Sequence, residues 1–287
     1  MTDVPVQAVE APVAAPATAK IKASSGLPAM LLPNANVSYV AKIAISIFWI
    51  ALAVGTWILL SMGDRDAAIV SILPSPFETW AAAGQQWQQG VFFEMLTSLL
   101  LSLEAIVWAI VISLSAAYLS TIWGFKPPMA LWGQLRFSSL LGMIVFFIFF
   151  TPDGHALKVA VLVFAITTFF IYDMMTVISN IPSSRFDHAK TLGLNRFQVL
   201  REVVMRGTLH NAFDSLRMNA AIAWMMLATV EGLSRSEGGI GVLLLNLNRA
   251  QNTAAILAIQ LMILAVGLGQ DFFIKWMKSL ICPYTKS

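Results

Sequence analysis

The chain has 287 residues, 58% of them hydrophobic and only 11% charged, with a mean hydropathy of +0.75. A soluble domain carries about 25% charged residues, so this chain has too little polar surface to cover itself in water and reads as an integral membrane protein. The formal net charge of +3 gives no sign of nucleic-acid binding, and the single cysteine, Cys282, excludes an internal disulfide framework.

In chain order, residues 1–36 are rich in Ala, Pro, Val and Ser without helical period and read as a disordered tail. No basic n-region followed by an apolar h-region occurs there, so the tail is not a signal peptide. Residues 37–62 form the first apolar run long enough to span, since a span needs ~20 residues. The segment 63–90 contains LPSPFETWAAAGQQWQQG. Ser75 followed by Pro76 and Glu78 is a capping box with proline at the first helical position, which predicts an interfacial helix over 76–89. Trp80 and Trp87 share one face of it, as interface-anchoring aromatics do.

Residues 91–281 hold five further candidate spans: 91–121, 129–151, 157–181, 209–232 and 253–277. The third carries Gln134 and Arg136 in its first half. The spans are expected to be helices because lipid offers an open backbone no hydrogen-bond partner, and the runs lack the alternation of a membrane barrel. With the N-terminus inside and six spans, fourteen of the eighteen Lys and Arg residues fall on the inner side. The positive-inside rule then predicts both termini, including the tail 282–287, in the cytoplasm.

The same count places 182–208 on the cytoplasmic face. Its core, DHAKTLGLNRFQVLREVVM, is more charged than its surroundings. Pro182 ends the fourth span and Ser184 is a candidate cap for a helix running to Leu192. Gly193 suits a left-handed C-terminal cap, and Asn195 caps a second helix, 196–205, with Phe197, Leu200, Val203 and Val204 as its apolar stripe. Such a hairpin either rests on the inner leaflet or inserts apolar residues such as Ala189, Leu192 and Leu194 into a groove on a cytoplasmic partner.

This loop resembles that of importer-type ATP-binding-cassette permeases, whose pattern is Glu-Ala-Ala, three residues, Gly, nine residues, Ile, two residues, Pro. Asp187, His188 and Ala189 stand at the Glu-Ala-Ala positions, Gly193 at the glycine and Val203 at the isoleucine, while His188 and Arg206 depart from the pattern. ILPSPFETW is similar to the Leu-Pro-Ser-Pro entry of the nitrate/sulfonate/taurine/bicarbonate permease group, and SLRMNAAIAWMMLATVEGL followed by GGIGVLL resembles that group's fifth span and the segment after it. Leu101 departs, standing where a basic residue is common.

The resemblance implies a type I importer fold with about six spans, an outer interfacial helix and a cytoplasmic coupling helix. It implies a permease dimer in the bacterial inner membrane, a dimer of ABC ATPases holding ATP and Mg, and an external solute-binding protein. The coupling residues would be Asp187, His188, Ala189, Leu192, Gly193, Leu194, Phe197 and Val203. The cargo would be a small oxyanion or organic anion such as nitrate, bicarbonate, a sulfonate or taurine, with an uncharged or aromatic cargo as the alternative, since permeases of the same group are thought to carry vitamin precursors. The sequence contains no G-x-x-x-x-G-K-[ST] phosphate loop, so ATP would bind another subunit, and no H-E-x-x-H or Cys/His cluster, so neither metal nor cofactor is expected on this chain and it is not read as an enzyme.

Charges inside spans are costly and often functional. Glu104, Asp173, Arg217, Trp224 and Glu231 are candidate pathway residues. Asp214 and Arg217 stand three apart, the spacing of an intrahelical ion pair; alternatively Arg217 faces the pore and attracts an anion. Glu104 is either structurally paired or turned to a second permease chain. Glu231 and Arg235 fall at the outer mouth of the fifth span, and Phe146, Phe147, Phe149 and Phe150 either narrow the pathway or pack against lipid. Two other functions fit the same features: an ion-coupled secondary transporter using Glu104 and Asp173, and a membrane scaffold that recruits a cytoplasmic protein through the loop.

Overall fold

The computed structural model describes residues 38–61, 73–234 and 238–283. The expected tail 1–36, Arg235 and most of 282–287 lie outside the described residues. Among those described there is no strand. The helices are α1 (Tyr39–Ser61), α2 (Pro76–Gln88), α3 (Val91–Leu119), α4 (Lys126–Gln134), α5 (Leu140–Ile148), α6 (Gly154–Ser179), α7 (Ser183–Thr191), α8 (Arg196–Val199), α9 (Arg206–Ser234), α10 (Ile240–Arg249) and α11 (Thr253–Ile281).

Four helices, α1, α3, α6 and α11, are long and apolar enough to cross a membrane, and α4 with α5 would make a fifth. The expected third span is therefore not one rod. It is two short helices, part of a pair bent by 112°. The cause is local. Pro127 and Pro128 fit only the first turn of α4, and extended Ser138 and Ser139 end the 3₁₀ turn Leu135–Phe137 that follows it. Gly133 lets α4 approach α6, where its absent Cβ would stand 3.4 Å from the Tyr172 Cβ. The Arg136 guanidinium caps the elbow, 3.5 Å from the centre of the Tyr172 ring.

The expected fifth span, α9, has 29 residues and is long enough to cross, but its charged and amide side chains keep it out of the apolar set. Two of those charges are paired across to α11. The Arg217 guanidinium donates to both carboxylate oxygens of Asp271 at 2.7 and 2.8 Å, and Lys278 Nζ donates to Asp214 at 2.6 and 2.7 Å. The expected intrahelical Asp214–Arg217 pair is thus replaced by two bridges between α9 and α11. Each acid meets the opposite charge on the antiparallel helix, where the geometry allows a fork on Arg217.

The core lies between α3, α6 and α9. One face of α3 is a buried stripe of small residues, Ser98, Ser102, Ala105, Ala109, Ser113 and Ala117. Such a stripe permits close helix approach where lipid supplies no hydrophobic drive. Val161, Leu162 and Ile166 of α6 and Ala223 and Leu227 of α9 fill the space against it. Leu101, in place of a basic residue, is part of this core at 4% exposure. The capping box of α2 forms as expected: Ser75 N–H donates to Glu78 Oε2 and Glu78 N–H to Ser75 Oγ. Trp80 is 82% exposed, on the side of α2 away from Ala82, which packs on α11.

Candidate functional site

The loop between α6 and α9 is built from two capping motifs. The first helix opens at Ser183 directly after Pro182, with no side-chain cap, so Ser184 does not cap it. Its C-terminal end is a Schellman turn: Leu194 N–H donates to the Ala189 carbonyl, Gly193 N–H to that of Lys190, and Gly193 has φ +68°. A Cβ on Gly193 would meet nothing within 4 Å, so the demand for glycine is conformational rather than steric.

Asn195 then forms a capping box with Gln198, whose Oε1 accepts from Asn195 N–H at 2.8 Å. The helix it starts does not end at Met205. It passes through a π-helical segment, Leu200–Met205, straight into α9. The loop is therefore one separate helix, α7, followed by a continuous helical extension of a core helix. Single π turns often mark functional sites because the widened turn is held against its own strain.

The residues expected to couple divide by exposure. Leu192 and Phe197 are exposed at 76% and 71%, an apolar pair beside the turn. His188 is exposed, and Asp187 is exposed and bridged to Lys190 at 3.1 Å. Leu194 and Val203 are half-buried. Ala189, expected at a docking surface, is turned inward at 3% exposure and anchors α7 to its own chain.

The charges in the bundle are also placed. Glu104 Oε2 lies 3.1 Å from His155 Nε2 across α3 and α6. Asp173 accepts from Asn219 Nδ2, which also donates to the Ser215 carbonyl. Trp224 is buried and donates from Nε1 to Gln270, and Glu231 is fully buried. Trp224 and Glu231 are buried within the chain, each held by a polar partner on a facing helix.

Glu231 belongs to a cluster that sequence reasoning missed. Its carboxylate accepts from Ser98 Oγ at 2.6 Å and from Gly241 N–H at 2.9 Å, and Ser98 Oγ accepts from Ile240 N–H. Gly239 N–H donates to Glu94, and buried Lys158 donates to the Gly238 carbonyl at 3.1 Å. The glycines are required: a Cβ on Gly239 would stand 2.5 Å from the Glu231 carboxyl carbon, and one on Gly241 would strike the Ala228 carbonyl. The signal was in the sequence, as Glu94, Lys158 and Glu231 near span ends beside GGIG, but not their convergence. Among the described residues no group of three or more His, Cys, Asp or Glu could hold a metal ion.

Residues 79–281 match the family of binding-protein-dependent transport system inner membrane components. The chain belongs to this family. It is similar to a putative ABC transporter permease of Methanocaldococcus jannaschii, 28% identical over 94 residues, or 33% of this chain and 35% of that protein. It is similar also to the choline transport system permease protein OpuBD of Bacillus subtilis, 28% identical over 129 residues, 42% of this chain and 56% of that one. The matched stretches thus span about a third and just over half of these relatives. The fold is that of a type I ABC permease, a multi-pass membrane protein, and the matches do not single out the nitrate/sulfonate/taurine/bicarbonate group.

Proposed function

We propose that the chain is the translocation subunit of an ATP-driven importer, paired with a second permease chain and worked by separate ATPase subunits that dock on the α7 loop. The observation that carries this is the join of α8 through the π segment into α9. A force on the exposed Leu192–Phe197 knob has a direct helical lever into the core, without a flexible link to absorb it. Both termini lie in the cytoplasm of a bacterial cell, ATP and Mg sit on the ATPases, and a solute-binding protein meets the opposite face. The single family assignment supports this over a secondary transporter or scaffold.

The anionic cargo rests on resemblance alone. Arg217, the cation that would attract it, is already engaged by Asp271. OpuBD, by its name, carries a cation. The uptake assay therefore has two arms, one with nitrate, bicarbonate, a sulfonate and taurine, and one with choline. The test of coupling is the Leu192→Ala/Phe197→Ala double variant in the assembled complex. Solute-stimulated ATP hydrolysis should fall at least ~10-fold, the loss for about 1.4 kcal/mol of interface energy. Unchanged stimulation would contradict the reading.

A further inference from the structure

The register between α3 and α6 places a Glu–His pair well down α3, in an open, largely apolar groove on the exposed face of the two helices. The two helices run parallel. Glu104 meets His155 near the start of α6, and Ala117, further along α3, packs with Phe170 and Met174. Glu104 is the fourteenth residue of α3. At a rise of 1.5 Å per residue it stands about 20 Å along that helix from Val91. So α6 begins well down α3 rather than beside its start. The nine residues of α5 cover only about 13 Å, too short for a bilayer core of ~30 Å. With the start of α3 at the membrane surface, as the importer reading has it, the corner joining α5 to α6, residues 149–153, lies below that surface.

That corner sets the exposed Phe149 and Phe150, which suit lipid, beside groups that do not. Its backbone is non-helical, Pro152 and Asp153 are exposed, and Asp153 caps α6 by accepting from Ala156 N–H at 2.6 Å. Non-helical backbone at such depth is tolerated only where protein buries it or water reaches it, and the same holds for ionisable side chains. Beside it, the side chains of Glu104 and His155 are 43% and 45% exposed. They open into a groove of about 350 Å³ with Trp108, Ile112, Val159 and Val163.

We propose that this groove is a water-facing site on the solute's route and that it takes an ammonium-type cationic group. The assignment of a route rests on the importer reading above. The choice of ligand follows from the groove's own chemistry. His155 engages Glu104 Oε2, which leaves Oε1 to accept from a ligand, and Trp108, one turn on and 54% exposed, offers an aromatic face. A carboxylate beside an aromatic face attracts a cation from two sides and repels an anion.

The test uses the assembled transporter in membrane vesicles, with buried Cys282 replaced by serine and single cysteines at Ile112, Val159 and, as a control, Trp80. Two membrane-impermeant methanethiosulfonates, one carrying trimethylammonium and one sulfonate, are added from the side where α3 begins. Both groove positions should react. Relative to the control, the ammonium reagent should be favoured by about tenfold, the Coulomb difference for opposite unit charges ~6 Å from a carboxylate in water. Glu104→Gln should bring that ratio near one. Absence of reaction at both groove positions while the control reacts would show the groove covered by lipid or the second chain and overturn the proposal, as would equal rates for the two reagents. Either failure with ATP hydrolysis still coupled removes this site and leaves the importer reading standing, whereas loss of coupling in the Leu192/Phe197 variant removes that reading without touching the labelling.

Discussion

Gly193 shows how much of the coupling loop rests on one backbone angle. At φ +68° a β-branched residue is a conformational outlier, and the left-handed region costs an ordinary residue ~1–2 kcal/mol. No neighbour stands in the way, so the whole cost is paid at the turn joining α7 to α8. Gly193→Val should leave membrane insertion intact and lower solute-stimulated ATP hydrolysis several-fold, measured on the purified complex. Gly241 offers the opposite case: its φ is unremarkable but the Ala228 carbonyl fills the space a Cβ would need. Gly241→Ala should lower stability by ~1–3 kcal/mol, seen as a lower thermal midpoint in detergent, whereas Gly142→Ala, with nothing within 4 Å, should be neutral or slightly stabilising. The demand for glycine at 193 was legible in the sequence because a C-cap is a local rule. That at 241 was not, because the obstructing atom belongs to another helix.

Among the elements, α9 differs most from its sequence pattern. Three-residue spacing suggested that Asp214 and Arg217 pair within the helix, but each instead bridges to α11. Spacing reports which side chains share a face and is silent about what stands opposite that face. An intrahelical pair would survive loss of Asp271. The interhelical one predicts that Asp271→Asn leaves the Arg217 charge without its fork and costs ~2–3 kcal/mol at membrane depth. The charge-swapped double variant Arg217→Asp/Asp271→Arg should recover at least half of that loss, as read by thermal unfolding in detergent. If the single variant unfolds at the wild-type temperature, the bridges do not hold α9 in the bundle. The bent pair α4–α5 is the second element missed as such. Gln134 and Arg136 pointed to trouble in a continuous span, and only the position of Tyr172 on α6 shows how the elbow is held. By contrast α2, α3, α6 and α11 were legible to within a few residues, since capping boxes and long apolar runs act locally.

For the whole molecule, the chain reads as a lever set in a bundle. The polar seal around Glu231 ties α3, α9 and the glycine segment together at one end of α9, while the π segment carries the other end into the α7 loop. A helix continuous from the loop to the seal fits the two-state linkage proposed for this chain. The most direct measurement is cross-linking from a cysteine at Leu192, in a Cys282→Ser background, to the ATPase subunits of the native complex with a short thiol–amine reagent. The account predicts a cross-linked product with a nucleotide-binding subunit whose yield changes when ATP and Mg are added. A complex that transports solute while Leu192→Cys gives no such product in either state would contradict it.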